Sequence, residues 1–269
     1  MDYGALIGES IDYSREALTG RWTTWLVFII CGIPMALIRF LFDPTKIVDN
    51  ASKTIHWELI PWPQLIALII AGFLLSFIIS GYCVRVYRGT TPPPVFDNWI
   101  SLYLDGIKLV VVDILWAVPA MLVLIISFAI LIVGAVTVKG PMPLILIPVI
   151  LLLLLAAVVL AVIAILYSIL GSVRFSRTGS IREGVRFSAI SGTIERIGWG
   201  TYIIALVVLL MTWFIFIIII GILALIPFVG WAFNLAITPF FTVFNARYIS
   251  RVYDHDIPQA PATVPETAL

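Results

Sequence analysis

Charged side chains are scarce in this chain: Asp, Glu, Lys and Arg together make up 12% of its 269 residues, about half the share found in soluble domains. Hydrophobic residues make up 62%, and the mean hydropathy is +1.13. A water-soluble fold does not bury that much apolar surface. The composition therefore excludes a soluble protein and indicates an integral membrane protein.

Cysteine and histidine are also rare. Cys31 and Cys83 both lie in apolar segments, where cysteine usually packs as a small core residue. His56 and His255 have no second metal ligand at helical spacing, and GxSxG, HExxH, Walker and GxGxxG patterns are absent. We therefore expect no metal site, no cofactor, no nucleic-acid partner and no enzymatic activity, although distant residues can form an active site without a local motif.

Apolar stretches are abundant, and six of them reach the length of about 20 residues that a helix needs to cross the hydrocarbon core. They lie at 22–42, 64–83, 109–138, 142–171, 202–226 and 228–249. The third and fourth are long, which predicts a tilt or a kink at Pro119 and Pro148. We expect an all-α transmembrane fold, a six-helix bundle in one polytopic domain over residues 1–256, and a disordered tail over 257–269.

The basic residues favour one orientation of these spans. If both termini lie in the cytoplasm, twelve Lys and Arg residues lie inside and four lie outside. The four are Arg39, Lys46, Lys53 and Lys139. We therefore predict a multi-pass protein of the cell membrane with both termini cytoplasmic, N-in and C-in. The outer loop then carries an N-glycosylation sequon, NAS at 50–52, and its occupancy is not indicated by the sequence.

An arginine pair recurs at the end of each inward-going span, in CVRVYRG, SVRFSRTG and NARYISRVY. The pairs are Arg85 and Arg88, Arg174 and Arg177, and Arg247 and Arg251. The pattern favours three parallel repeats, each an interfacial helix followed by a helical hairpin. The positive-inside rule and the helix dipole also favour arginine at these positions, so independent origins are the alternative.

Mixed polar and aromatic segments precede the hairpins. They predict amphipathic helices on the cytoplasmic side of the membrane at about 3–18, 97–107 and 180–196. Ser180 and Glu183 have the spacing of a capping box, which indicates a helix start. Between the second and third spans, three consecutive prolines at 92–94 favour an extended connection, because proline cannot continue the helix.

RGTTPPPVFDNW and LYLDGIKLVVV resemble segments of an uncharacterised, mainly archaeal membrane family called domain of unknown function 4013. VRFSRTGSIREGVRF, GWGTYI at 198–203 and TPFF at 238–241 resemble the family as well. The loop at 43–63 is longer than the family pattern leads us to expect. The resemblance implies a fold type and a membrane location, and it implies no activity. The matching positions are Arg85, Arg88, Gly89, Pro92, Pro93, Pro94, Phe96, Asp97, Trp99, Asp105, Gly106 and Lys108.

Four arginines, Arg174, Arg177, Arg182 and Arg186, lie within thirteen residues just inside the membrane. Such clusters attract anionic lipid headgroups by about 1 kcal/mol per charge, although the same charges also set topology. We therefore predict headgroup or partner contacts at the arginines of this face. The full set is Arg85, Arg88, Arg174, Arg177, Arg182, Arg186, Arg247 and Arg251.

The sixth span carries a polar stripe formed by Asn234, Thr238, Thr242 and Asn245. Such residues either hydrogen-bond between helices or line a path for a polar solute. Asp113 lies near the start of the third span. We expect it to pair with an arginine at a helix end, such as Arg85 or Arg247, and a proton or cation site is the alternative.

Two functional hypotheses follow. The first is a non-enzymatic scaffold that organises lipids or a partner protein at the cytoplasmic face, because interfacial helices and basic residues gather there. The second is a transporter or channel for a small polar solute that uses the stripe on the sixth span. An embedded enzyme has least support. The sequence indicates neither a particular substrate or partner nor an oligomeric state.

Overall fold

A computed structural model describes residues 1–41, 48–49, 54–55, 57–137, 146–223, 225–226 and 229–255. The sequon at 50–52 and the tail predicted at 257–269 lie outside these residues. In the described part, the chain forms nine α-helices, a 3₁₀ turn at Trp57–Leu59 and one antiparallel pairing of Val48–Asp49 with Thr54–Ile55. The helices are α1 (Tyr3–Leu18), α2 (Trp22–Leu41), α3 (Trp62–Tyr87), α4 (Trp99–Thr137), α5 (Leu146–Thr178), α6 (Ile181–Gly184), α7 (Phe187–Ile197), α8 (Trp199–Leu223) and α9 (Val229–Tyr253).

Four helices, α3, α4, α5 and α8, are long and apolar enough to cross a membrane. The helices α1 and α2 meet at 95° and together give a fifth candidate span. The stretches predicted as the first and sixth spans correspond to α2 and α9. The described residues thus give an almost entirely helical protein with four or five candidate spans, and the count of six stays a prediction.

The interfacial segments differ in part from expectation. The prediction of a separate helix at 97–107 is wrong, because from Trp99 onward these residues are the first turns of α4, a continuous helix of 39 residues. No proline interrupts α4 before Pro119, so helical hydrogen bonding continues directly into the apolar part. The segment at 180–196 forms the two short helices α6 and α7 instead of one.

Buried side chains gather at one end of the bundle. This end, where α1, α3, α5 and α9 terminate, is called the arginine end below, and the opposite end is the far end. Tyr82, Val173 and Tyr248 are fully buried near the arginine end. Large apolar side chains on α4, α5 and α8 are exposed towards the far end, for example Ile125, Leu152 and Leu210. Because lipid tails solvate such residues, this distribution suits a bundle that packs tightly at one end and faces lipid elsewhere.

An aromatic cluster lies near the arginine end of the bundle. The ring centroids of Phe28 on α2 and Tyr82 on α3 are 5.2 Å apart, and Phe96 stacks on Tyr82 at 4.8 Å. Phe96 belongs to the proline loop, defined here as residues 89–98 between α3 and α4. The cluster therefore fixes this loop against the ends of two helices.

Three helices that leave the arginine end begin with a tryptophan. Trp22, Trp99 and Trp199 are the first residues of α2, α4 and α8. Each follows closely on a residue with a positive φ, namely Gly20 at 74°, Asn98 at 42° and Gly198 at 87°. Gly20 and Gly198 adopt this backbone region without strain, and asparagine tolerates it better than most other residues. The indole rings are exposed by 77%, 48% and 40%, respectively.

Candidate functional site

Most of the arginines predicted to contact lipid are engaged with carboxylates of the protein. Arg88 Nη2 lies 2.6 Å from Asp105 Oδ2, and Arg177 Nη2 lies 2.6 Å from Asp254 Oδ2. The other pairs are Arg85 with Asp97, Arg174 and Arg186 with Glu183, and Arg251 with Glu9. These side chains therefore hold the arginine end together, a role that the sequence pattern does not reveal.

Several of these contacts join different helices. Arg177 on α5 donates to the carbonyl of Tyr87 on α3 at 2.7 Å and to Ser250 Oγ on α9 at 3.2 Å. Arg88 at the end of α3 donates to the carbonyl of Ser176 on α5 at 3.2 Å. Arg88 and Arg177, one member each of two predicted arginine pairs, thus join the ends of α3, α5 and α9 in one network of hydrogen bonds and ion pairs.

Arg247 is the buried member of this group. Its guanidinium carbon lies 4.4 Å from the centroid of the Tyr13 ring, a distance typical of a cation–π contact. Its Nε atom is buried and has no hydrogen-bond partner among the described residues. Because the side chain is enclosed, Arg247 is not placed to meet a lipid headgroup.

Exposed cations surround α6 and α7. Arg182 is exposed and forms no ion pair with any residue that the structure describes. Arg186 contacts Glu183 at 3.1 Å, and its side chain is nevertheless 58% exposed. Hydrogen bonds from Arg174 and then Arg186 lower the pKa of Glu183 below its ordinary value of 4.5. Glu183 does not cap α6 as its spacing predicts, since the Ser180 side chain makes no capping bond and the carboxylate binds the two arginines instead.

A pocket of about 500 Å³ lies beside the proline loop. Three arginines line it, Arg21, Arg85 and Arg88, together with Thr90, Pro92, Pro93, Pro94, Val95 and Asp97. Arg21 Nη1 donates to the carbonyl of Pro93 at 2.7 Å. Arg21 is absent from the sequence-based prediction, because it precedes α2 and lies far along the chain from the other two arginines.

The polar stripe on α9 lines a second cavity, of about 360 Å³, towards the far end. Asn234, Thr238 and Thr242 face it from α9, and Phe28 and Met35 face it from α2. The threonine hydroxyls bond within their own helix, Thr238 to the carbonyl of Asn234 at 2.7 Å and Thr242 to that of Thr238 at 3.0 Å. In the described structure the stripe therefore borders a cavity and does not bond to α5.

Two further predicted positions make contacts within the bundle. Asn245 Oδ1 accepts a long hydrogen bond of 3.5 Å from Trp213 Nε1 on α8. Asp113 on α4 accepts a hydrogen bond of 2.8 Å from Ser172 Oγ on α5. The expected pairing of Asp113 with Arg85 or Arg247 is not seen, because those arginines engage Asp97 and Tyr13. Among the described residues, no group of three or more His, Cys, Asp or Glu side chains is placed to hold a metal ion.

Long apolar helices and an ion-pair network at one end define the class of protein, a helical membrane protein. The chain belongs to the family described as a protein of unknown function, DUF4013, whose model matches residues 64–227. The resemblance noted from the sequence is thus confirmed over these residues, which include most of α3, the proline loop, α4 and α5. TPFF at 238–241 lies outside the match. No curated protein and no solved structure matches the chain.

Proposed function

We propose that this protein is a non-enzymatic membrane protein that organises lipids or a partner protein at its arginine end, on the cytoplasmic face. One observation carries the proposal: exposed indole rings and exposed cations occur together at this end. Trp22, Trp99 and Trp199 open the three helices that leave it. Tryptophan is enriched at the level of lipid headgroups, and nearby cations attract anionic lipids.

The structure supports a narrower choice of lipid-facing cations than the sequence does. Arg85, Arg88 and Arg177 are largely occupied by carboxylates and carbonyls of the protein. Arg182 and Arg186 are exposed and follow directly on the end of α5. We therefore propose Arg182 and Arg186 as the principal surface contacts to anionic headgroups.

Spin-labelled lipids test this proposal. We expect the full chain in phosphatidylcholine bilayers to hold more motionally restricted phosphatidylglycerol than phosphatidylcholine. Replacing Arg182 and Arg186 together with Gln should reduce that preference several-fold, since each cation contributes about 1 kcal/mol. The matched control replaces both residues with Lys, which keeps the charges. Equal restriction of the two lipids by the wild-type chain would contradict the proposal.

We further propose that α2 and α9 complete six spans, that both termini lie in the cytoplasm, and that the three Trp-initiated hairpins are repeats. In a chain lacking Cys31 and Cys83, Leu225→Cys at the far end should react with an impermeant maleimide in intact cells. Arg182→Cys should react only after permeabilisation. Labelling of both sites in intact cells would contradict this topology.

A second candidate function is the passage of a small polar solute, and the cavity beside α9 favours it. Asn234, Thr238 and Thr242 give this cavity amide and hydroxyl groups in an otherwise apolar lining. If the cavity is hydrated, Thr238→Cys should react rapidly with a charged methanethiosulfonate, whereas the exposed apolar position Val207→Cys should not. Equal and slow reaction at both positions would indicate a dry cavity and argue against transport.

A further inference from the structure

We propose that the pocket beside the proline loop binds a phosphate group, carried by the headgroup of an anionic lipid. This assignment rests on the proposed function and adds to it a defined site at the arginine end, distinct from the exposed surface of Arg182 and Arg186. The residues that line the pocket indicate a phosphate ligand, and the hydrogen bonds of the loop hold the pocket in shape. The neighbouring tryptophans indicate that the phosphate belongs to a lipid.

The lining is rich in groups that bind phosphate. Three arginines line the pocket, and Arg85 pairs with Asp97, the one carboxylate among its described lining residues. The carboxylate that pairs with Arg88 belongs to Asp105, outside the lining. Within the described residues, the Arg21 guanidinium donates a hydrogen bond to a backbone carbonyl and forms no ion pair, so its charge is not neutralised by an acidic partner. Arginine presents a planar fork of donors that matches phosphate oxygens.

The walls of the pocket are already ordered. Tyr13 Oη donates to the carbonyl of Thr90 at 3.0 Å, and Arg85 Nη1 donates to the carbonyl of Val95 at 2.8 Å. Phe96 stacks on Tyr82 at 4.8 Å and on Trp99 at 5.7 Å. A ligand therefore meets a loop that is held in place, and binding costs little conformational entropy.

Two exposed tryptophans lie close along the chain to residues that line the pocket. Trp22 directly follows Arg21, and Trp99 lies two residues after Asp97. Because exposed indoles locate at the membrane–water interface, the pocket opens at the level where lipid phosphates lie. A headgroup can enter it while the acyl chains stay in the bilayer, which favours a lipid over a soluble phosphate.

Native mass spectrometry of the full chain in detergent measures this binding lipid by lipid. We expect phosphatidylglycerol to bind more tightly than phosphatidylcholine, and Arg21→Gln to raise the dissociation constant for phosphatidylglycerol about fivefold, the factor for one nearby cation. Val95→Glu should weaken binding similarly, because it adds a carboxylate at the rim while leaving every arginine in place. Val95→Gln is its neutral control and should bind like the wild type.

The results of these binding measurements distinguish a failure of the pocket assignment from a failure of the proposed function. If Arg21→Gln and Val95→Glu bind phosphatidylglycerol like the wild type while loss of Arg182 and Arg186 weakens binding, the pocket assignment is wrong and the proposed function stands. If the wild type does not distinguish the two lipids, both fail. If inorganic phosphate itself forms an adduct that Arg21→Gln abolishes, and displaces phosphatidylglycerol, the ligand is a soluble phosphate and the lipid source is wrong.

Discussion

At the scale of the residue, Gly106 marks where α4 crosses α3. A Cβ atom at this position would lie 1.8 Å from the carbonyl oxygen of Phe77 and 2.9 Å from the amide nitrogen of Gly81. Because the obstacle is backbone, a side chain cannot be accommodated by a change of rotamer. We expect Gly106→Ala to separate the helices and to lower the free energy of unfolding by about 1–3 kcal/mol or more.

The matched control for Gly106→Ala is Gly192→Ala, within α7. An added Cβ there meets nothing within 4 Å, so better helix propensity should leave stability unchanged or raise it by up to about 1 kcal/mol. Thermal unfolding in detergent measures both variants. Equal melting temperatures for the two would mean that the close crossing of α3 and α4 does not exist.

Glu183 gives the arginine end a dependence on pH. Hydrogen bonds from Arg174 and Arg186 lower its pKa in the folded protein, so its contribution to stability is present above its ordinary pKa of 4.5 and is lost as pH falls through the lowered value. We expect the melting temperatures of the wild type and Glu183→Gln to differ at pH 6 and to converge at acid pH. A constant difference across this range would exclude the linkage.

At the scale of the element, Arg177 joins three helices. It lies on α5, and it donates to Tyr87 on α3 and pairs with Asp254 just beyond α9. We expect Arg177→Ala to lower the free energy of unfolding by about 2 kcal/mol, because hydrogen bonds to charged groups contribute about 1.5–3 kcal/mol. Arg182→Ala is the control and should change stability by less than about 0.5 kcal/mol.

A double-mutant cycle with Asp254→Asn isolates the ion pair of Arg177. The effects of the two substitutions should not add, because the two side chains are in contact. Additive effects would show that Arg177 acts mainly through its bond to the carbonyl of Tyr87.

The sequence predicts several elements well and others poorly. The apolar stretches and α1 follow from local periodicity and length. The predicted break before the third span is wrong because amphipathic and apolar segments can share one helix: α4 has 39 residues, about 58 Å at 1.5 Å per residue, more than the roughly 30 Å core of a bilayer. Arg21 could not be predicted as a pocket residue, since only folding brings it to the proline loop.

At the scale of the whole molecule, stability should depend on the tightly packed part of the bundle. Phe244 on α9 is 2% exposed, whereas Ile215 on α8 is 60% exposed. We expect Phe244→Ala to lower the free energy of unfolding in lipid bicelles by about 3–5 kcal/mol. Ile215→Ala should cost less than about 1 kcal/mol, since lipid replaces the lost contacts. Similar losses for both would contradict the one-ended packing.

Composition alone establishes that the chain is a membrane protein, because the hydropathy of each residue does not depend on how the chain folds. The internal pairing of the arginines is not visible in the sequence, because Arg88 and Asp105, or Arg177 and Asp254, become neighbours only when helices pack. The same limit explains Asp113, whose partner proves to be Ser172 instead of a nearby arginine.

The aromatic cluster of Phe28, Tyr82 and Phe96 has a consequence for permeability. Phe28 lines the cavity beside α9, and Phe96 lies between Val95 and Asp97, which line the pocket beside the proline loop. The ring centroids of Phe28 and Phe96 are 5.6 Å apart, so one aromatic cluster reaches from the lining of the first cavity to the loop that borders the second. The only polar group of its three rings is the hydroxyl of Tyr82. We therefore expect that passage of an ion from one cavity to the other would require these rings to part.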